Sequence, residues 1–514
     1  MTTATAEAVV PAEVVEAILR PRTGLVAERE EAPGLFVQEE GAAASYRREV
    51  TTRALLDGEV RVRQVVTFDL DLPFFSWLFI LPVRRAVGGL RPDPDMPWWA
   101  PPQRLDRRAA VVLATLAGLA VVAGYLGALL SLTMTYAARE FGVGRTGQGV
   151  AFAVVRINIV LAFGILVVAD RRGRRNLVLL SAAVGALVSA LGAAAPSLAW
   201  LTVSQVGAVS LVAGLLILMS VMTAEEMPAG SRAWAIGVLG MATGLGAGLA
   251  TMALPLADTG RRGWRWPYAF AVVALVIVAF AARRLEESRR FAAAPRGPGR
   301  ATHGTRGRRR LVLIATGAFL FALFSTPAGQ FHNEFLRTER AFSAARISAL
   351  SLVSGTIGGL GVLVGGRMAD RRGRRLVAGV GVALGALTTI GSYAGRGWSL
   401  WAWGIVDSFL GYAVGPALAV YGPELFPTSL RSRASGIVAG AYALGGVAGL
   451  VAAGVLSSAF GTLTPAFGVL AVGPLALVIL IAVAYPETAG IELEDLNPED
   501  RGSSEVVPPP PSGE

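Results

Sequence analysis

The sequence predicts an all-α polytopic membrane protein. It has twelve transmembrane helices in two pseudo-symmetric six-helix bundles, preceded by a small N-terminal α+β cytoplasmic extension. Three observations carry this. The 514 residues are 53% hydrophobic and only 16% charged, where a soluble chain carries nearer ~25% charged residues. Twelve long apolar runs follow one another from about residue 109. The heptapeptide Ala-Asp-Arg-Arg-Gly-Arg-Arg closes an apolar run twice, at 169–175 and 369–375, an offset of 200 positions.

The apolar runs lie near 109–136, 147–169, 177–195, 198–223, 233–256, 266–282, 311–333, 347–368, 376–393, 399–422, 434–459 and 465–484. Each is close to the ~20 residues that cross a hydrocarbon core as a helix. The 62 glycines fit helices that pack on small residues in lipid. With no cysteine, the chain has no disulfide, thiolate or Cys-ligated metal chemistry. Its two histidines leave little for a metal site, and neither a metal nor a cofactor is expected.

The net charge of +11 comes from 47 basic residues, all arginine. Their placement points to membrane topology and not to nucleic acid. Loops after even-numbered spans hold 22 arginines and loops after odd-numbered spans hold nine. By the positive-inside rule the even loops and both termini are cytoplasmic, in a plasma (inner) membrane. The first twenty residues hold three glutamates and no long apolar core, so no cleavable signal peptide is expected there.

The repeat extends beyond the heptapeptide. Glu225, Pro228, Arg232 and Gly237 recur as Glu424, Pro427, Arg431 and Gly436 at an offset of 199. Glu287-Ser288 recurs as Glu487-Thr488 at 200, and Phe141 and Arg145 recur as Phe342 and Arg346 at 201. Landmarks in register over two halves indicate a duplicated six-helix unit, an architecture of secondary transporters.

These residues resemble the major facilitator superfamily over roughly 109–494. The family's loop motif Gly-x-x-x-Asp-Arg-x-Gly-Arg-Arg is complete at 366–375, while the first copy has Leu166 in place of the leading glycine. Glu-Leu-Phe-Pro-Thr-x-x-Arg at 424–431 and Pro-Glu-Thr-x-Gly-x-x-Leu-Glu at 486–494 are similar to the sugar-porter, organic-ion and metabolite–proton symporter branches. Span 7 lacks the Gln-Gln motif of sugar porters, span 4 offers Gln205 in place of their arginine, and span 1 lacks the aspartate of aromatic-acid symporters. Neither a sugar nor an aromatic-acid site is therefore carried over.

The resemblance implies a cytoplasmic gate in which charge networks hold the halves together when the cavity faces outward. Its expected members are Asp170, Arg171, Gly173, Arg174, Glu225, Arg232 and Glu287 in the first half. In the second they are Asp370, Arg371, Gly373, Arg374, Glu424, Arg431 and Glu487. A carboxylate at such a helix end can accept hydrogen bonds from a neighbouring helix N-terminus and meet its positive dipole. The alternative reading is that the arginines only fix topology.

A charged residue at mid-membrane costs about 2.5–3.5 kcal/mol on insertion scales, so it faces a cavity or a partner. Arg156 lies fourteen residues before Asp170, roughly 21 Å along the helix, and Asp407 seventeen before Glu424, roughly 25 Å. They either pair across the halves, or Arg156 binds an anionic substrate group while Asp407 carries a coupling proton; a packing pair or structural hydrogen bond is the plainer alternative. Thr326, Gln330, Asn333 and Glu334 share one face of span 7. Tyr125 and Thr133 on span 1, Gln205 on span 4 and Trp403, one turn from Asp407, complete the substrate candidates. Glu334 is as well placed for a solvated loop and Trp403 for an interfacial belt. Pro327 and Pro416 are expected to kink their spans.

The expected boundaries are 1–107 for the extension, 108–285 and 310–485 for the bundles, 286–309 for a cytoplasmic linker and 486–514 for the tail. In the extension, Val60, Val62, Val66, Phe68 and Leu70 alternate with polar residues, and Asp57-Gly58 suits a hairpin turn after 47–56. The apolar stretch 74–83 is too short to span; with Arg84, Arg85, Trp98 and Trp99 it is expected to lie along the interface. Residues 294–309 and 501–514 are Arg/Gly/Pro- or Pro/Ser-rich and are expected to lack fixed structure.

With no ATP-binding motif, the leading expectation is a monomeric, proton-coupled secondary transporter of a small organic metabolite, with the lipid bilayer, protons and substrate as partners. A transporter-like receptor signalling through the extension is the alternative. A membrane-tethered enzyme is disfavoured by the lack of a catalytic constellation in 1–107.

Overall fold

A computed structural model describes residues 1–55, 59–92, 96–143, 151, 154–155, 161–162, 164–166, 168–169, 173–293, 305–342, 344–428 and 430–499. The chain folds as two compact units, Met1–Gly118 with Arg283–Leu285, and Leu119–Ala282 with Glu286–Glu514.

The first unit is built on an antiparallel sheet. Strands β1 (Thr2–Pro11), β2 (Ala27–Ala32), β3 (Leu35–Glu40), β4 (Ser45–Ala54) and β5 (Glu59–Asp69) lie in the order β1-β5-β4-β3-β2. β4 and β5 pair from Ser45↔Asp69 to Ala54↔Val60. The turn expected at Asp57-Gly58 lies outside the described residues. Alternation buries Val62, Val66 and Phe68 of β5 with Tyr46 and Val50 of β4. Helices α1 (Ala12–Ile18) and α2 (Ser76–Val87) add Ile18 and Val87 to this core. Inside it, Arg48 forks onto Glu28 at 2.6 Å, and Tyr46 donates to the same carboxylate at 2.6 Å. The arginine also lies over the Phe36 ring at 4.0 Å, so a fully buried charge is paired and hydrogen-bonded.

The long helices begin with α3 (Arg107–Phe141), α4 (Arg174–Leu191), α5 (Leu198–Glu226) and α6 (Arg232–Ala253). α7 (Arg265–Phe270) and α8 (Ala274–Arg284) together form one span, and α9 (Arg289–Ala293) follows it. The second half holds α10 (Thr305–Thr338), α11 (Ala344–Arg372), α12 (Arg374–Ala394), α13 (Trp398–Ala419), the single turn α14 (Tyr421–Glu424) and α15 (Arg431–Phe460). α16 (Leu463–Leu470) and α17 (Val472–Ala484) make its last span, and α18 (Leu493–Leu496) is a short turn in the tail. Among the described residues, eleven helices are long and apolar enough to cross a membrane. The expected second span, 147–169, lies mostly outside the described residues.

Glycine contacts set the helix crossings. A Cβ at Gly124 of α3 would clash with the Thr243 carbonyl of α6, and one at Gly246 with the Val121 carbonyl of α3. In the second half, Gly445 and Gly449 of α15 meet the carbonyls of Phe319 and Leu323 on α10 in the same way. Such close backbone approach is how helices gain packing in lipid.

One expectation is corrected. Residues 305–309 are not structureless; they form the first turn and more of α10. Arginine is a strong helix former, and with the apolar run beyond it there is nothing in that stretch to stop the helix short. Residues 294–304 and 501–514 lie outside the described residues.

Candidate functional site

Both copies of the heptapeptide place a glycine just before a helix. Gly173 precedes α4 with φ 97°, and Gly373 precedes α12 with φ 98°, a region that favours glycine. The Glu287 carboxylate accepts from the backbone N–H of Arg174 at 3.1 Å and of Arg175 at 3.3 Å. Glu487 accepts from the N–H of Arg374 at 2.9 Å and of Arg375 at 3.1 Å. A Cβ at Gly373 would lie 2.7 Å from Glu487 Oε2, and Gly173 is tighter still against Glu287. The glycine therefore supplies both the backbone conformation and the room for a carboxylate to cap the next helix.

The second copy also reaches across to the first half. Asp370 accepts from the N–H of Ala233 at 3.2 Å and of Trp234 at 2.8 Å, at the start of α6. Gly366, one turn earlier on α11, permits this approach, because a Cβ there would lie 2.6 Å from the Ala233 carbonyl oxygen. Leu166, its counterpart in the first copy, is buried. Asp170 and Arg171 lie outside the described residues, and Arg371 is exposed, outside the cluster.

Around Asp370 the ion pairs interlock. Arg374 donates to Asp370 at 3.1 Å, to Glu424, and to the Ala229 carbonyl of the first half at 3.1 Å. Arg232 of the first half meets Glu424 at 3.3 Å and Glu492 at 3.1 Å. Glu225 receives Arg174 at 3.1 Å from its own half and Arg431 at 2.6 Å from the other. Arg174 also donates to the Thr428 carbonyl at 2.7 Å. The side chains of Arg174, Arg232, Arg374, Arg431, Glu225 and Glu424 are all 0% exposed. Charges taken out of water are tolerated only with several partners each. Parting the halves at this end therefore means breaking the set together.

Sequence reasoning missed the tail's part. Arg290 on α9 meets Glu492 at 2.9 Å and Glu494 at 2.8 Å, and also donates to the Glu225 carbonyl. Burial pushes the Glu494 carboxyl up, but the hydrogen bond and charge of Arg290 outweigh it and hold the group below the usual glutamate range. The acidic end of the 486–494 motif was the available signal. At the opposite end of the first half, Glu140 accepts from Trp264 Nε1 at 2.6 Å and from Arg265 at 2.9 Å. Burial pushes its carboxyl up as well, and Arg265 and Trp264 hold it down overall. No repeat marked that residue.

The membrane-embedded candidates are dispersed. Asp407 faces α12, accepting from Thr388 at 3.1 Å and Thr389 at 2.6 Å. Trp403 also turns to α12, with its ring against Gly391. Thr326 packs against Gly446 of α15, whereas Gln330 is exposed. Tyr125 donates to the Pro267 carbonyl at 2.7 Å, and Thr133 lies 3.0 Å from the Tyr268 hydroxyl, so both tie α3 to α7. Gln205 is fully buried, and its amide has no hydrogen-bond partner among the described residues. Arg156, and the side chains of Asn333 and Glu334, lie outside the described residues.

The family model described as Major Facilitator Superfamily matches residues 116–332 and 313–507. The chain belongs to this superfamily. It is thus a multi-pass membrane transporter with the superfamily's two six-helix halves. Its fold is similar to the proton:xylose symporter XylE bound to 6-bromo-6-deoxy-D-glucose, with 18% identity, a TM-score of 0.63, and 75% of this chain and 97% of that one covered. The human organic anion transporter MFSD10 gives 18% identity and a TM-score of 0.60 over 73% and 99% of the two chains. The E. coli fucose:proton symporter FucP gives 14% and 0.62 over 74% and 100%. A probable chloroplastic anion transporter of Arabidopsis thaliana is 36% identical over 106 residues, a stretch spanning only 20% of each chain.

Proposed function

We propose that this superfamily member is a proton-coupled secondary active transporter that moves a small organic metabolite by alternating access. The observation that carries this reading is the buried ion-pair set joining the halves at the arginine-rich end. A closed charge network at one end of a two-half bundle suits a state open at the other. The arginine-rich end is cytoplasmic in this reading, with both termini, in the plasma membrane, and the protein acts as a monomer. The bundles run over 108–285 and 310–485, flanked by the extension, the linker and the tail.

Asp407 carries the coupling proton. Its position on α13, away from the arginine-rich cluster and held only by two neutral hydroxyls, supports that role, since no arginine competes for its charge among the described contacts. Gln205, whose buried amide has no hydrogen-bond partner among the described residues, and Gln330 are the substrate-contacting groups we favour, with Arg156, Thr326, Asn333, Glu334, Tyr125 and Trp403 as further candidates. The xylose and fucose symporters and the anion transporters among the relatives support a small polar or anionic solute as cargo.

Proteoliposomes loaded with a panel of sugars, organic anions and amphiphilic cations, with and without an imposed proton gradient, test this directly. Gradient-driven accumulation of one class is expected; flux indifferent to the gradient for every class overturns the coupling. The folded sheet of the extension favours a second reading, a receptor that signals through it. Transport that survives removal of residues 1–95 counts against that reading.

A further inference from the structure

We propose that α2 is a membrane-inserted anchor whose outer face is covered by the acyl chains and anionic headgroups of the bilayer leaflet at the arginine-rich end. The argument rests on how the first unit holds this helix and what it leaves outside. Asp71, just before α2, pairs with Arg107 at 3.0 Å and Arg284 at 2.9 Å, the residues that open the first span and close the sixth. From there the chain runs inward along α3. The Phe74 ring lies against Gly118, where a Cβ would come within 2.6 Å of it. Gly118 is eleven residues into α3, roughly 16 Å along the helix, a depth at which an apolar ring belongs to the hydrocarbon layer. Phe74 holds φ 65°, a conformation unusual for a non-glycine residue, at the turn into α2, whose far end packs on the sheet.

A turn at that depth must satisfy its own backbone. Ser76 Oγ accepts from the Leu72 N–H at 2.9 Å and sits 2.8 Å from the carbonyls of Leu70 and Leu72. Trp77 Nε1 donates to the Phe74 carbonyl at 3.0 Å. At the far end, Arg22 donates to the carbonyls of Val87 at 2.8 Å and Arg91 at 3.0 Å, which fixes the helix C-terminus to the sheet. Val83 and Val87 face the sheet core. The other face shows Trp77 at 73%, Leu78 at 49% and Leu81 at 52% exposure. This face ends on exposed Arg84 and Arg85, whose charge complements anionic headgroups. Twelve residues are too few to cross the bilayer. The helix therefore enters and leaves on one side and holds the sheet against the membrane.

Because the native chain has no cysteine, single sites are unambiguous. Leu81→Cys, Leu78→Cys and the exposed sheet residue Thr52→Cys are introduced into the full-length protein and labelled with an environment-sensitive fluorophore. They are then reconstituted in phosphatidylcholine/phosphatidylglycerol vesicles with or without acyl-chain bromines. Quenching at 81 and 78 is expected to exceed that at 52 by several-fold, and Arg84→Gln/Arg85→Gln to reduce its dependence on phosphatidylglycerol. Equal, weak bromine quenching at all three sites overturns the proposal, whether water or a second protein covers the face. Transport activity is not the readout, so the result is independent of the proposed function.

Discussion

Arg431 of the second half donates to Glu225 of the first at 2.6 Å, and neither side chain has any exposure to solvent. Two residues some two hundred positions apart, related to each other's counterparts by the internal repeat, thus meet across the interface of the halves. Glu424, the repeat partner of Glu225, meets Arg232, the repeat partner of Arg431. The duplicated unit has used one carboxylate–arginine pair twice, each time reaching to the opposite half.

Removing one member of a buried pair leaves a charge without compensation, at about 3–5 kcal/mol. Glu225→Ala is therefore expected to disfavour the joined state strongly, and Glu225→Ala/Arg431→Ala to cost less than the sum of the two single changes. Distances between spin labels on the two halves at the arginine-rich end report this; an unchanged distribution in Glu225→Ala would remove the pair from any gating role.

Gly373→Ala is expected to destabilise by about 1–3 kcal/mol, because it combines a left-handed backbone with a methyl group pressed on Glu487. Gly173→Ala behaves alike through Glu287. Thermal unfolding in detergent measures both, and a Tm equal to that of the parent protein in either variant contradicts the account of the motif's glycine.

Strong acidification should loosen the tail. A carboxyl whose value is lowered on folding contributes stability above its unfolded value, about 4.3 for glutamate, and loses it as the pH falls through the lower folded value. The Arg290–Glu494 link is thus intact at neutral pH and weakens progressively below about 4.3. Protease sensitivity of the tail followed by pH titration checks this. Glu494→Gln should show the released tail already at pH 7, and a pH profile identical to the parent's would exclude the link as its cause.

Asp407→Asn is expected to abolish proton-driven accumulation while sparing substrate exchange across the vesicle membrane, since asparagine retains a hydrogen-bond acceptor for Thr389 but carries no proton to the other side. Accumulation equal to that of the parent protein rules Asp407 out as the coupling group.

The spans and the duplicated halves were legible because lipid demands long apolar runs and the repeat preserved its landmarks in register. The pairing of Glu287 with Gly173, by contrast, needed the backbone angle to become visible; the shared glycine was the clue, and its reason was geometric. β1 to β3 escaped notice because Ala- and Glu-rich strands carry little alternation, and β2 and β3 meet through irregular register at Ala27/Glu28 and Glu30/Ala32. Asp407 was legible as a membrane carboxylate, but its turn toward Thr388 and Thr389 was not, because sequence spacing gives a helix face and not the neighbour opposite it. Glu494 was read as a motif letter and Glu492 fell on one of the motif's unspecified positions, and only the folded tail brings them to Arg290.

Every cation in the interlocked cluster is a guanidinium, and the chain contains no lysine. A guanidinium does not give up its proton within a protein and offers no amine for acetylation. Neither a rise in pH nor lysine-directed modification can therefore neutralise that side of the network. Control of the joined state by protonation is therefore left to the acids: only a carboxylate of the network can change its charge by taking up a proton.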